Sequence, residues 1–344
     1  MSETMTIAIC SHQRREPLVR LLRALADQAV AAPASWSGID VVVAIDGSTD
    51  GSDAAARAVV TPFPLTISSQ PHRGLSAARN ECLARASGTL IYFLDDDLVP
   101  AEGTVERHRS ADRSGPARIL LGPCVIPRSF PAPESARAWR AGRYAELERT
   151  QVIDRFDRFS IANSSGPTAV FRAVGGFDPT FVGYGLEDYE MGLRLMESGV
   201  YERFDPSAIA WHYSTSDERS DVRRHWETGQ NTVRLLRRHP GVADTLFPST
   251  YRGPAPWILD RLGIRRPTLL RAVATSCHCV GRHVPARPRR IPEFIFALAL
   301  AAAFSAGVAE LDPSLVSRSL GRPKEPTVRA PWWRHPTSTV RKPQ

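Results

Sequence analysis

Three consecutive aspartates, Asp95, Asp96 and Asp97, follow the strand-like run Thr89–Leu94. Two carboxylates about 4 Å apart repel by ~1 kcal/mol in water and ~4 kcal/mol at an effective dielectric near 20. Three at the end of a buried strand therefore call for an offsetting cation or for shifted pKa values. A hard divalent ion, Mg2+ or Mn2+, takes oxygen ligands of this kind and shares them with substrate phosphates, where it stabilises charge on a departing diphosphate. The alternative is an acidic turn in solvent, where aspartate is common. A second acidic cluster lies in Gly183-Tyr-Gly-Leu-Glu-Asp-Tyr-Glu190. Leu186, Tyr189, Leu193 and Met196 keep helical spacing and Gly199 is a stop signal, which puts Glu187 and Asp188 in the first turn of a helix. The helix dipole favours ionised carboxylates there, and an ionised Asp188 facing a hydroxyl can take its proton. Acids also gather in first turns for dipole reasons alone. A lone histidine after a short apolar run, His212 behind Ala208–Ala210, is more often structural than a ligand.

The elements that would carry these groups alternate. Thr6–Cys10 is short, apolar and β-branched. Pro17 stands near a helix start, with Leu18, Leu21, Leu22 and Leu25 at i, i+3, i+4 and i+7. Ile39–Ile45 has strand length and ends in Asp46-Gly-Ser-Thr-Asp-Gly51. A weaker helix over 52–60, a strand over 65–68, a helix marked by Leu75, Ala78, Cys82 and Ala86, and the strand 89–94 follow. Such alternation predicts an α/β fold with a mostly parallel, doubly wound sheet and helices on both faces. Ligands of such sheets bind beyond the carboxyl ends of the strands. Ser11, Asp46 and Asp95–Asp97 stand at those ends.

Ser11-His-Gln-Arg14, Asp46-Gly-Ser-Thr-Asp-Gly-Ser52, Arg73-Gly-Leu-Ser-Ala-Ala-Arg-Asn80 and Leu94-Asp-Asp-Asp97, in this order and spacing, resemble the nucleotide-sugar domain of family-2 glycosyltransferases of the GT-A fold. The resemblance covers roughly residues 5–215. It implies a Rossmann-like GT-A domain over 1–215 that transfers a sugar, with inversion, from a nucleoside diphosphate donor, a UDP-sugar being favoured. It implies that Asp46 accepts a hydrogen bond from the base and that Cys10 and Ser11 line base and ribose, with Arg14 nearby. Arg79 reaches base or diphosphate, Asp95 contacts the ribose, Asp96 stands between, and Asp97 binds the metal. Paired acids are frequent in the family after the second strand; here Ile45 precedes the retained Asp46. A glycine-rich loop before Glu-Asp is similar to the acceptor-side motif of inverting members, which makes Asp188 the general base and gives Glu187 a contact to acceptor or sugar. By the same resemblance His212 is a further metal ligand, and imidazole suits Mn2+ better than Mg2+. Ser164–Arg172 is similar to the strand behind the donor sugar.

The chain has 344 residues, of which 42% are hydrophobic and 23% charged, ordinary for a globular protein. Five scattered cysteines argue for a reducing compartment over a disulfide framework, and no signal-peptide pattern precedes Thr6. The expected location is cytoplasmic. Charge is uneven: residues 1–218 carry a net −6 and residues 219–344 a net +14. Residues 216–320 read as a helical, basic extension for contacts with acceptor, membrane or another subunit, and 321–344 as a flexible tail rich in Pro and basic residues. Phe294–Val308 is apolar, but fifteen residues at 1.5 Å rise fall short of the ~30 Å hydrocarbon core. With Arg282, Arg287, Arg289 and Arg290 before it, the segment suits anionic headgroups at the inner face of a membrane or a lipid-linked acceptor; an alanine-rich packing helix is the plainer reading. A peptide or small-molecule acceptor stays open, as does a homo-oligomer. Cys277-His-Cys279 with His283 does not have the usual zinc spacing. Nucleic acid is not expected, for lack of an aromatic-interleaved basic motif. A sugar nucleotidyltransferase would need a catalytic lysine, and no lysine precedes Lys324. A catalytically inactive nucleotide-sugar-binding or scaffold protein is the remaining rival.

Overall fold

The computed structural model describes residues 3–132, 134–213, 218–243, 245–246, 258–259, 262, 266–283 and 290–316. The tail 321–344, Arg287 and Arg289 lie outside the described residues, as do the side chains of Arg282, Arg290, Cys277–Cys279 and His283.

The front of the chain runs β1 (Met5–Ser11), α1 (Arg15–Ala31), β2 (Ile39–Asp46), α2 (Ser52–Arg57), β3 (Leu65–Gln70), α3 (Leu75–Arg85) and β4 (Leu90–Leu94). These four strands pair in parallel in the order β3-β2-β1-β4. Side chains alternate across a strand, and the two faces have separate cores. Ile7, Ile9, Val41, Val43 and Tyr92 meet Leu18, Leu21, Leu22 and Leu25 of α1 on one side. Ala8, Val42, Ala44, Ile91 and Phe93 meet Ala78 and Cys82 of α3 on the other, together with Phe171, Phe177 and Met191. The smaller residues on the second face let α3 lie close to the sheet, which brings Arg79 under the strand ends.

Beyond β4 the chain forms β5 (Leu98–Pro100), α4 (Thr104–Ser110), β6 (Ile119–Leu121), β7 (Cys124–Val125), α5 (Glu134–Thr150), β8 (Val152–Ile153), β9 (Asn163–Pro167), α6 (Thr168–Ala173), α7 (Glu187–Glu197), β10 (Glu202–Phe204) and β11 (Ala210–His212). The large sheet is completed as β3-β2-β1-β4-β9-β6-β10-β8, with β9 antiparallel to both neighbours. A second sheet, β5-β11-β7, sits beside it. Its register decides one feature of the site: His212 pairs with Leu98 across β5 and β11, and Tyr213 N donates to Asp97 O at 2.9 Å. The last aspartate of the trio is thereby set beside His212, more than a hundred positions away in sequence. A polar knot supports this edge. Asn163 accepts from Tyr92 Oη at 2.6 Å, lies 3.1 Å from His108 Nε2, and donates to Ala208 O at 2.9 Å. Burial, reinforced by Arg113, pushes His108 down to about 3, so it is neutral and structural.

The chain continues into α8 (Glu218–Arg238), α9 (Pro267–His283) and α10 (Arg290–Leu311). The apolar stretch inside α10 packs between its neighbours: Ala301, Ala302, Ala306 and Val308 are all buried. Two glycines let α8 and α10 touch backbone to backbone. A Cβ on Gly229 would fall 2.1 Å from Phe304 O, and one on Gly307 would fall 2.0 Å from Trp226 O. Among the described residues no helix is long and apolar enough to cross a membrane.

Candidate active site

At the carboxyl end of β4, Asp96 and Asp97 are nearly buried, whereas the Asp95 side chain is 42% exposed. Arg14, from the loop between β1 and α1, places Nε 3.3 Å from Asp96 Oδ1 and Nη2 2.5 Å from Asp97 Oδ2. His212 Nε2 stands 3.2 Å from the same Asp97 oxygen. Burial alone would raise the Asp97 carboxyl, but His212 and Arg14 outweigh it and hold it far below the usual carboxylate range. Asp96 shifts the other way: burial pushes it up to about 7, against Arg14 and a hydrogen bond from Ser11. Burial also raises Asp95, with Arg79 opposing.

The donor set fits a hard or borderline divalent ion. Two ligands at right angles about an ion with bonds near 2.1 Å are about 3 Å apart, close to the 3.2 Å between Asp97 Oδ2 and His212 Nε2. Arg140 Nη2 lies 2.6 Å from His212 Nδ1. A guanidinium only donates, so here Nδ1 accepts and the ring proton is on Nε2. For Nε2 to become a ligand the proton must move to Nδ1, and Arg140 must then turn away.

Asp46 has its own set of partners. Oδ1 accepts from Gln70 Nε2 and Arg73 N, both at 2.8 Å; Oδ2 accepts from Gly74 N at 2.8 Å and lies 2.8 Å from His72 Nδ1. Burial works against the charge, but these donors hold the carboxyl low. Four donors saturate the carboxylate, so the residue expected to read a base also pins the loop from β3 to α3. Of the four, only His72 is well exposed, at 57% of its side chain, so a base can reach the cluster there. His12 stacks on His72 with ring centroids 4.1 Å apart, and its Nδ1 lies 2.5 Å from Asp46 O. The loop after β1 thus touches both clusters, through His12 and through Arg14. Neither His12 nor His72 was singled out from sequence, although His12 lies inside the first motif. Cys10 Sγ lies 3.9 Å from Cys82 Sγ. That contact and burial raise the Cys10 thiol well above its ordinary value, and Arg79 and Asp95 are near enough to act on it. Ser11 is buried beside Asp96, and its hydroxyl helps to hold that carboxyl down.

Arg79 joins the two acidic motifs. It is 4% exposed; Nη1 donates to Glu187 Oε1 at 2.8 Å and Nη2 to Asp95 Oδ1 at 3.3 Å. Burial disfavours its charge, yet Glu187 and Asp95 more than compensate and raise it. Glu187 is 7% exposed and keeps Oε2 without a hydrogen-bond partner. Leu186, just before it, has φ 72°, a left-handed conformation costly for a non-glycine residue. Its buried side chain packs with Phe181, Leu193 and Leu235, which holds the turn that starts α7. Burial and then Glu187 push Asp188 up to about 7, opposed by Arg79 and Arg143. Arg140 and Arg143, both on α5, carried no signal in the sequence analysis. The structure thus brings Arg14, Asp95, Asp96, Asp97 and His212 together, reaches Glu187 and Asp188 through Arg79, and adjoins Cys10 and Ser11; Asp46 sits in the neighbouring cluster.

A β3-β2-β1-β4 parallel sheet closed by an antiparallel β9, with acids at the strand ends, defines a GT-A fold. A mannosyltransferase from Pyrobaculum calidifontis, solved with GDP-Man and Mn2+, superposes with a TM-score of 0.58 at 18% identity, over 91% of this chain and 88% of that one. Residues 6–173 match glycosyl transferase family 2, and residues 145–215 match the family described as the N-terminal domain of galactosyltransferase. Residues 6–173 are thus a family-2 glycosyltransferase domain. Validoxylamine A glucosyltransferase of Streptomyces hygroscopicus subsp. jinggangensis is 29% identical over 273 residues, covering 71% of this chain and 63% of the relative. Pre-mycofactocin glycosyltransferase of Mycobacterium tuberculosis is 29% identical over 281 residues, covering 78% and 57%. The chain therefore spans about three fifths of the length of these relatives.

Proposed function

We propose that the chain transfers a glycosyl group from a nucleoside diphosphate sugar, a UDP-sugar, to an acceptor hydroxyl by single displacement with inversion. The observation that carries this reading is the convergence of carboxylates from two distant stretches, Asp95–Asp97 and Glu187–Asp188, about the single guanidinium of Arg79. Asp97 and His212 would hold a Mn2+ or Mg2+ ion, which when bound would supply positive charge to offset that of a departing diphosphate. Arg14, already paired with Asp96 and Asp97, adds a second cation to the same place. Asp188 takes the acceptor proton; partial burial beside Glu187 raises its basicity and matches it to a hydroxyl at neutral pH. Glu187, fixed by Arg79 through one oxygen, offers the other to a sugar hydroxyl. His72 and Asp46 face the base. The named relatives are a validoxylamine A glucosyltransferase and a pre-mycofactocin glycosyltransferase, which supports glycosyl transfer.

Thermal unfolding with UDP, GDP and dTDP, each with and without Mn2+, tests the donor side. UDP with Mn2+ is expected to stabilise most, and Asp97→Ala to remove the metal-dependent part. An unchanged metal response in that variant refutes the ligand assignment. Asp188→Asn is expected to abolish turnover of a UDP-sugar while UDP binding persists; near-normal turnover refutes the base.

A further inference from the structure

The loop that ends in Glu187 and Asp188 is held by the helical extension, not by the sheet. Three side chains of successive positions on one face of α8 reach it. Glu227 Oε2 accepts from Tyr184 N at 3.0 Å, and Thr228 Oγ1, which donates to Arg224 O at 2.8 Å, lies 3.4 Å from Tyr184 O. Asn231, 0% exposed, donates from Nδ2 to Gly185 O at 2.8 Å and to Tyr184 O at 3.3 Å. Its orientation is unambiguous, because Oδ1 accepts from Arg234 Nη1 at 2.7 Å and a guanidinium cannot accept. Both amide protons therefore go to the loop. Ahead of the Leu186 anchor, Gly183 and Gly185 have φ of 82° and 88°, Val182 and Tyr184 are about half exposed, and Arg224, also on α8, lies over the Tyr184 ring at 4.9 Å. Two flanking pairs complete the attachment, since Arg238 reaches both Asp178 and Glu190 at 3.0 Å.

We propose that Asn231 is a positioning residue for the transfer reaction: through the carbonyls of Tyr184 and Gly185 it holds the loop so that Glu187 and Asp188 face the bound donor. The inference rests on the reading of Asp188 as base, but its structural half stands without that reading. An amide suits the task because each of its two N–H groups can be given to a carbonyl while its oxygen stays paired, so no polar atom is left unsatisfied at a buried position. A leucine there keeps the volume and loses every one of these bonds.

Hydrogen–deuterium exchange on the full chain, with Asn231→Leu, separates the parts. Amides of residues 183–188 are expected to exchange at least tenfold faster, with β1, β2 and β4 unchanged. Turnover of UDP-glucose with water as acceptor, at saturating Mn2+, is expected to fall at least tenfold while the KM for UDP-glucose changes less than twofold. Glu227→Ala, at the edge of the helix, is expected to give the same pattern with a smaller amplitude and serves where Asn231→Leu does not fold. Unchanged exchange at 183–188, or an equal rise throughout the sheet, overturns the proposal. Faster exchange at the loop with unaltered turnover also overturns it. A wild-type protein that turns over no nucleotide sugar refutes the proposed function instead, and the exchange result distinguishes the two failures.

Discussion

Replacing Arg79 by methionine removes the only cation that Glu187 contacts by a direct ion pair in the described structure. At 2.8 Å and an effective dielectric near 20 the attraction is ~6 kcal/mol. Most of it offsets the cost of taking both groups out of water, because Arg79 and Glu187 are 4% and 7% exposed. The bridge to Asp95 adds little, since that side chain is 42% exposed. What remains decisive is the carboxylate left behind. Breaking a buried pair by removing one partner costs about 3–5 kcal/mol, and Glu187 Oε2 already lacks a hydrogen bond. Arg79→Met is expected to lower the unfolding midpoint by about 5 °C in a chain of this size. Adding Glu187→Gln removes the stranded charge, so the double variant is expected to recover about 2 kcal/mol relative to Arg79→Met alone, measured by urea unfolding. A loss under about 1 kcal/mol in the single variant, or a further loss in the double, would refute the argument that this pair is the buried electrostatic link between the motifs.

Since Asp188 is pushed up to about 7 and a base acts only when deprotonated, turnover is expected to rise with pH and level off above that value. At pH 6 it should be about tenfold below the plateau; a flat profile from pH 6 to 8 would count against Asp188. Gly307→Ala would stabilise a free helix by about 1 kcal/mol, yet here its Cβ meets Trp226 O, so unfolding should show a loss of about 1–3 kcal/mol; a gain would mean that α8 and α10 are not in contact in solution. His72→Ala is expected to leave the Asp46 loop folded through Gln70, Arg73 and Gly74, with calorimetry showing weaker UDP binding and unaltered Mn2+ response; unaltered UDP binding would remove His72 from the base site.

The first four strands and three helices were legible because each combines an apolar run of strand length, or a 3.6-residue period, with a polar stop. The acids were legible for the same reason, as polar breaks at strand ends. β9 was legible only through the resemblance, which gave a strand over Ser164–Arg172, whereas Thr168–Ala173 is the helix α6; Asn163-Ser-Ser-Gly-Pro167 has no apolar alternation and becomes a central strand because Asn163, Ser164 and Ser165 find buried partners. The pairing of Asp97 with His212 depends on the register of a three-residue strand, which no local pattern encodes. Asp46 was read as an open acceptor, and its four donors come from backbone and side chains brought in by the β3–α3 turn. Asn231 gave no signal at all, lying mid-helix in a basic stretch. The apolar segment 294–308 allowed two readings from hydropathy alone, and the burial of Ala301, Ala302 and Val308 against its helical neighbours favours the packing one.

Gly229 lies two residues before Asn231 on α8, and its lack of a side chain fixes how closely α10 can approach. A methyl group added there or at Gly307 would act as a wedge, tilting the rod from which the loop carrying Asp188 is suspended. Mutational tolerance should therefore be poor at two small residues far in sequence from the strand-end acids, and a screen for altered function would do well to sample substitutions along that helical seam.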